Sequence, residues 1–197
     1  MTPQRLSDFL PLAVKSLTQP RIGLRAVLSI HSQRSDLINA GWLVIILNLI
    51  LTTSLTLLGP LPPEGTPTDP FKTSAIMQVL SLFGGAFFVY RVGRWFGGTG
   101  SFDGSLKLVI WVNFILFLIQ VPIVAMSFVG PGATALIMML VLIVAMTQLT
   151  ATIMELHGFT EVVPVLFGIL GSSIAFGIVL LIVLGLLGVN LPTETPV

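Results

Sequence analysis

The chain has 197 residues, of which 54% are hydrophobic and only 9% are charged, and its formal net charge at pH 7 is +1. Soluble domains carry about 25% charged residues, so this composition excludes an ordinary soluble globular protein, and the near-neutral charge gives no electrostatic basis for binding nucleic acid. The absence of cysteine excludes a disulfide framework, a thiolate nucleophile and a cysteine-ligated metal.

Residues 1–35 predict a cytoplasmic leader rather than a secretory signal, because charges and prolines interrupt any continuous apolar run. An apolar stripe with intervals of three or four residues predicts a short amphipathic helix in this leader; its members are Leu6, Leu10, Val14 and Leu17. A second short helix is predicted over Arg21–His31. We expect both helices to lie in the headgroup region against anionic lipid; the alternative is a disordered basic leader.

Five apolar segments, in which the only charged residue is Lys107 at the start of the third, predict five transmembrane helices, and therefore an all-α polytopic membrane helix bundle over residues 36–190. A helix rises about 1.5 Å per residue, so about 20 apolar residues cross a hydrocarbon core of about 30 Å. Turn residues at Gly59–Pro63 and Gly130–Gly132 separate spans, and Asp103-Gly104 is assigned to the loop after the second span. The predicted spans are Leu37–Leu58, Thr73–Tyr90, Leu106–Val129, Ala133–Met154 and Val162–Val189.

The distribution of Lys and Arg predicts how the chain is threaded. Eight of the nine lie before the first span or between the second and third, and only Lys72 falls on the other side. The positive-inside rule then places the N-terminus in the cytoplasm and the tail of residues 191–197 outside. We expect a multi-pass protein of the inner (cytoplasmic) membrane.

Polar side chains inside the predicted spans recur at helical intervals, so each set faces one way. The principal ones are Asn48, Gln78, Asn113, Gln120 and Gln148. Equal depth predicts two interhelical hydrogen-bond layers, one joining Asn113 to Gln148 and one joining Gln78 to Gln120. Because no ionisable side chain lies well inside a span, we favour structural packing over the alternative, a path for a substrate or ion. The small residues of the fifth span suit self-association or internal packing equally well.

Two clusters flank the spans on the side predicted to be cytoplasmic. The glycine-rich segment Gly93–Phe102 lacks the spacing of a dinucleotide-binding loop and follows a membrane span rather than a strand, so we interpret it as a flexible loop anchored by its basic and aromatic residues. Glu155 and His157 bring an acid next to an imidazole, but residues two apart do not face each other on a helix, and two ligands are too few for zinc. We therefore predict no catalytic site, metal or cofactor; Glu155 ends the fourth span and His157-Gly158 turns the chain.

The order of these motifs resembles the Yip1 family of multi-span membrane proteins, and bacterial members most. The resemblance covers nearly the whole chain and implies five spans with a cytoplasmic N-terminus. Eukaryotic members carry an Asp-Leu-Tyr-Gly-Pro motif before the first span and act in vesicle traffic with Rab-type GTPases; this chain lacks the motif, so GTPase binding is not carried over. The residues that carry the resemblance are Leu17–Arg21, Arg94, Gly97, Gly98, Gly100, Phe102 and Glu155–Phe159.

From this resemblance we expect a non-enzymatic scaffold that organises the membrane or binds a partner, either another membrane protein or a second copy of the chain, besides the lipid bilayer. The alternative is a small permease or lipid-moving protein that uses the polar stripe, and a third hypothesis is an intramembrane enzyme at Glu155 and His157. The candidate interaction surface consists of Arg94, Gly97, Gly98, Gly100, Phe102, Glu155, His157 and Gly158.

Overall fold

The computed structural model describes residues 8–58, 70–126 and 131–187, and over these residues the chain is built from helices. Two short helices form a hairpin, and long helices follow. The second long segment is divided into two α-helices by a π-helical turn at Leu80–Gly84. The helices are α1 (Phe9–Thr18), α2 (Pro20–Leu28), α3 (Arg34–Leu58), α4 (Pro70–Val79), α5 (Gly85–Trp95), α6 (Phe102–Met126), α7 (Pro131–His157) and α8 (Val162–Leu186).

Five segments within the described residues are long and apolar enough to cross a membrane, which confirms the predicted all-α bundle with five spans. They are Arg34–Ser54, Phe71–Trp95, Phe102–Pro122, Met139–His157 and Val162–Leu186. The direction in which the chain crosses the membrane, and its division at residues 35 and 190, stay predictions. The predicted turn at Gly59–Pro63, the glycine that opens the turn at 130 and the tail of residues 191–197 lie outside the described residues.

The loop assignment of Asp103-Gly104 was wrong, because α6 already begins at Phe102. An acidic residue in the first turn of a helix is stabilised by the positive end of the helix dipole, so Asp103 suits this position. We call the end of the bundle that carries Arg34, Trp95, Phe102, His157 and Val162 the basic end.

The central helix of the bundle is α6. Half of its membrane segment is buried, and Leu106, Leu108 and Ile115 are each at most 1% exposed. It packs against α3, α5 and α7, whereas α8 packs on α5 and α7 at the edge, with only 11% of its membrane segment buried.

The α1–α2 hairpin is docked on the bundle by polar contacts, and the predicted pair of short helices is confirmed. The buried Gln148 side chain donates to the Ser16 carbonyl at 2.8 Å, near the C-terminus of α1. Lys107 donates to the carbonyls of Leu28 and Ile30, where α2 ends. Both contacts satisfy carbonyls that a helix C-terminus leaves without partners. The placement of the two helices in the headgroup region stays a prediction.

Candidate functional site

The basic end is organised by two helix C-caps that share one geometry. In α5, Gly97 has φ +83° and its N–H donates to the Arg94 carbonyl, while the Gly98 N–H donates to the Gly93 carbonyl at 2.8 Å. This pair of bonds is the Schellman motif, which needs a left-handed residue after the helix. Glycine adopts that conformation without a steric penalty, so Gly97 ends α5 at this point.

The α7 cap repeats this arrangement. Gly158 has φ +74°, and the Phe159 N–H donates to the Met154 carbonyl at 3.0 Å. His157 is therefore the residue at which α7 ends. Phe159 packs against Met154, as a Schellman cap favours. Each glycine cap thus turns the chain toward the other cap.

The His157 side chain is 2% exposed and fills a space that three glycines leave open. A Cβ atom added to Gly93 would lie 2.2 Å from His157 Cε1, one on Gly98 would lie 2.5 Å from Nδ1, and one on Gly100 would lie 2.6 Å from Cε1. Real Cβ atoms do not approach other atoms so closely, so each position excludes every side chain while the ring stays in place. We call His157 and these three glycines the histidine cage.

Backbone hydrogen bonds fix the ring and its chain segment. The Gly100 N–H donates to His157 Nδ1 at 3.3 Å, and the Thr99 N–H donates to the His157 carbonyl at 3.2 Å. Because Nδ1 accepts, a neutral ring carries its proton on Nε2. Nε2 of His157 is buried and makes no hydrogen bond within the described residues. The Val89 carbonyl interacts with the ring electrostatically. The interpretation of this segment as a flexible loop was wrong, because backbone and ring interlock here.

The other predicted surface residues lie around the histidine cage. Glu155 makes a bidentate ion pair with Arg25 of α2, with 3.1 Å between Oε2 and Nη2, and this hydrogen bond together with the charge of the carboxylate raises the pKa of Arg25. The Phe102 ring lies edge-on to Tyr90 and beneath the guanidinium of Arg34, 5.8 Å from its centroid.

The outer side of the cage exposes aromatic residues beside a cation. Trp95 is 86% exposed and Phe96 is 68% exposed, and Arg94 next to them is also exposed. Large aromatic residues at such exposure mark a contact with lipid headgroups or with a partner, since water alone does not favour them.

Glu155 and His157 do not form one chemical site. The carboxylate faces Arg25, whereas the imidazole points into the three glycines. Within residues 8–58, 70–126 and 131–187, no group of three or more His, Asp or Glu side chains could hold a metal ion. Glu155 thus joins α7 to α2, and His157 joins α7 to α5 and the loop that follows it.

A second site lies halfway along the bundle, where three of the predicted intramembrane polar residues converge. Asn48 of α3, Gln78 of α4 and Asn113 of α6 line a cavity of about 230 Å³, together with Ser81 of the π-helical turn. We call these four residues the polar pocket. Asn113 lies six positions after Lys107, the last charged residue of α6, so the pocket begins about 9 Å inside that residue along the helix.

The polar pocket keeps hydrogen-bonding capacity for another molecule. Asn48 donates to the Val44 carbonyl and Asn113 to the Val109 carbonyl, each at 2.9 Å and each within its own helix. The two amide oxygens therefore stay available as acceptors. A π-helical turn is often found at functional sites, and here it brings Ser81 to the cavity.

The two predicted hydrogen-bond layers were wrong. Gln148 donates to the Ser16 carbonyl of α1, whereas Asn113 faces Asn48 and Gln78 across the polar pocket. Among the described residues no hydrogen bond joins Gln78 to Gln120, and Gln120 does not line the pocket. The depth argument assumed that each amide finds an amide on a neighbouring span, but a docked α1 carbonyl and the amides' own helices supply the acceptors instead.

A second cavity, of about 220 Å³, lies between α5, α7 and α8 beside the histidine cage. Apolar residues such as Val92, Ile153 and Val165 line most of it, and Thr160 and Glu161 also line it. A mostly apolar lining with few polar groups suits an apolar ligand or an apolar part of a partner.

Sequence reasoning missed several residues that build these sites. Gly93 lies five positions before Gly98, the spacing at which a Schellman cap joins two residues, and this signal could have assigned it. Ser16 and Gly23 pack α1 onto α2 so closely that a Cβ on Gly23 would lie 1.8 Å from Ser16 Oγ. Ser81 lies three positions after Gln78 and belongs to the same polar set, but the π-helical turn that presents it has no known sequence pattern.

Comparison with known families gives one match: the family model described as the Yip1 domain matches residues 14–188. The matched region begins inside α1 and includes all five spans, the histidine cage and the polar pocket. No curated protein and no solved structure matches the chain.

Proposed function

We propose, from the finding that this chain belongs to the Yip1 family, that it is a non-enzymatic membrane protein that organises the membrane or binds a partner protein through its basic end. The observation that carries the proposal is the interlocked basic end. The histidine cage holds the α5–α6 loop and the α7–α8 turn in one fixed arrangement, and exposed Trp95 and Phe96 project from it. A surface whose backbone is already fixed loses less conformational entropy when it binds a partner than a flexible surface does.

The proposal also includes a bacterial origin, an inner-membrane location and a cytoplasmic N-terminus. The eight-to-one distribution of Lys and Arg across the spans supports this orientation. Reporter fusions to both termini test it. The proposed orientation requires that the N-terminal fusion reports from the cytoplasm and the C-terminal fusion from the other side; both termini on one side would contradict it.

Cross-linking in native membranes tests the proposed surface. We expect reproducible protein or lipid adducts to the wild-type chain, and we expect them to disappear when Trp95 and Phe96 are both replaced by Ala. The matched control is Phe87→Ala, because Phe87 is also an exposed aromatic residue of α5 but lies away from the basic end. Equal adducts in both variants, at equal protein levels, would exclude the basic end as the working surface.

A second candidate function is transport of a small polar molecule or of a lipid headgroup, and the polar pocket favours it. Four polar side chains converge within the membrane segments, and polar groups that converge inside a membrane are typical of substrate sites in transporters. None of the described residues that line this pocket is ionisable, so an uncharged or zwitterionic species suits it better than an ion.

Reconstituted liposomes distinguish the two functions. If the pocket is a path, Asn113→Leu removes flux or lipid movement, whereas Gln120→Leu, on the same helix but outside the pocket, leaves it unchanged. Wild-type liposomes without any flux above protein-free ones would leave the scaffold as the better function.

A further inference from the structure

A third cavity, of about 260 Å³, lies beneath the α2–α3 connection. Residues of α1, α2, α3 and α6 line it, and most of them are apolar, among them Phe9, Val27, Leu37 and Ile110. Its volume is just below the range of small-molecule pockets in proteins, so it suits one part of a longer molecule that continues into the bilayer.

Two buried hydrogen-bond donors of this cavity have no partner within the described residues. One is Nε1 of Trp111, a residue only 4% exposed, and the other is Oγ of Ser32. Both residues line the cavity. An indole N–H only donates, so it needs an acceptor, and a buried donor without one is a costly exception in a folded protein. The cavity therefore lacks an acceptor that some other molecule must supply.

The depth of the cavity indicates where that acceptor comes from. Lys107 is the last charged residue of α6, and the 19 positions from there to Met126 rise about 28 Å, close to the thickness of the hydrocarbon core. Lys107 thus marks the boundary of the core, and Trp111 lies one helical turn inside it. The ester carbonyls of phospholipids occupy this boundary, and they are hydrogen-bond acceptors.

Charges of both signs stand at the same cavity. Lys107 lines it, with its ammonium group donating to the Leu28 and Ile30 carbonyls, and so does Asp36, whose carboxylate accepts from the Gln33 N–H at 2.9 Å. A carboxylate repels a headgroup that is only anionic, whereas a zwitterionic headgroup places its phosphate toward Lys107 and its ammonium group toward Asp36. The apolar wall below accepts an acyl chain.

We propose that this cavity binds a diacyl glycerophospholipid with a zwitterionic headgroup, and that an ester carbonyl of the lipid accepts hydrogen bonds from Trp111 Nε1 and Ser32 Oγ. The bound lipid then fills the space between the α1–α2 hairpin and α3, so it stabilises the docked position of the hairpin. The site is separate from the polar pocket and from the histidine cage, and it does not depend on the function proposed above.

Lipid binding to the delipidated full chain in detergent tests this proposal, with diacyl phosphatidylethanolamine compared with its dialkyl ether analogue. The ether analogue has the same headgroup and chains but no ester carbonyl. We expect the diacyl lipid to bind wild type about three- to tenfold more tightly than it binds Trp111→Phe, the range for one hydrogen bond. The ether analogue can accept from neither Trp111 nor Ser32, so it should bind both proteins equally and more weakly than the diacyl lipid binds the variant, which keeps the Ser32 hydrogen bond.

Controls separate a lost hydrogen bond from a packing defect. Trp42→Phe removes an exposed indole from α3, outside the cavity, and should leave binding unchanged. Ser32→Ala gives an independent readout if Trp111→Phe disturbs packing with Phe9 and Phe114. Equal binding of diacyl and ether lipids to wild type would overturn the proposal, as would oleate binding at least as tightly as the phospholipid, since a fatty acid lacks the headgroup that both charges require.

Discussion

The histidine cage and the polar pocket both gather polar groups within an apolar bundle, but they use them in opposite ways. In the cage, three glycine backbones close on one imidazole until no atom can be added. In the pocket, four polar side chains border about 230 Å³ of open space, and the two asparagines bond to their own helices. The closed cage is therefore expected to stabilise the fold, whereas the open pocket has the form of a binding site. Substitutions in each should separate stability from function.

The largest expected effect is that of Gly93→Ala in the cage. The new methyl carbon would lie 2.2 Å from the His157 ring, and such overpacking costs about 3 kcal/mol of unfolding free energy. The matched control is Gly171→Ala in α8, where a Cβ meets nothing within 4 Å. A helical Gly-to-Ala change of that kind is neutral or stabilises by up to about 1 kcal/mol.

Unfolding of both variants in detergent micelles measures this difference. If Gly93→Ala and Gly171→Ala unfold at the same denaturant concentration, the cage is looser than its geometry indicates, and the contrast with the polar pocket disappears.

The next effect is a coupling between the two halves of the cage. His157→Ala alone leaves a cavity and an unpaired Gly100 N–H, which costs about 2 kcal/mol. Without the ring, however, the methyl group of Gly93→Ala has room. The double variant should therefore be more stable than the sum of the single variants predicts, by about 1–3 kcal/mol, the range for residues in contact. Additive costs would show that the two residues do not meet.

The all-helical class and the five spans could be predicted from the sequence because lipid imposes them. Runs such as 108–154, which has no charged residue, are long enough for two spans. That inference needs only length and hydropathy, since every backbone polar group in a bilayer must be satisfied within the helix. It needs no knowledge of which helix touches which.

The site was less predictable, because its contacts join residues far apart in the sequence. The sequence shows Gly98 and Gly100 as part of a glycine-rich motif. Their structural role depends on His157, which lies 57 positions after Gly100. Gln148 was predicted to bond to Asn113 on a neighbouring span, whereas its acceptor is the Ser16 carbonyl, 132 positions earlier. Helical periodicity gives the face of each helix but not the partner of that face, so the predicted amide pairs were wrong, although Asn48, Gln78 and Asn113 line one pocket.

Gln148→Leu tests a polar contact that resembles the cage in being closed. Gln148 is 1% exposed and donates to the Ser16 carbonyl, so the substitution leaves a buried acceptor without a partner. We expect a loss of about 1–2 kcal/mol and faster hydrogen exchange in α1, because the hairpin loses a docking contact. Gln120→Leu is the control, since among the described residues Gln120 makes no hydrogen bond to another helix. Equal effects of the two substitutions would contradict the docking role.

The smallest effect on stability should come from Asn113→Leu in the polar pocket. The side chain bonds only to the Val109 carbonyl of its own helix, which keeps its backbone partner, so unfolding free energy should change by less than about 0.5 kcal/mol. A loss of unfolding free energy as large as that of Gln148→Leu would show that Asn113 holds α3, α4 and α6 together. The pocket would then stabilise the fold, as the cage does. A small loss leaves its polar atoms without a structural task, and groups that are costly to bury in a membrane are retained for a ligand rather than for packing.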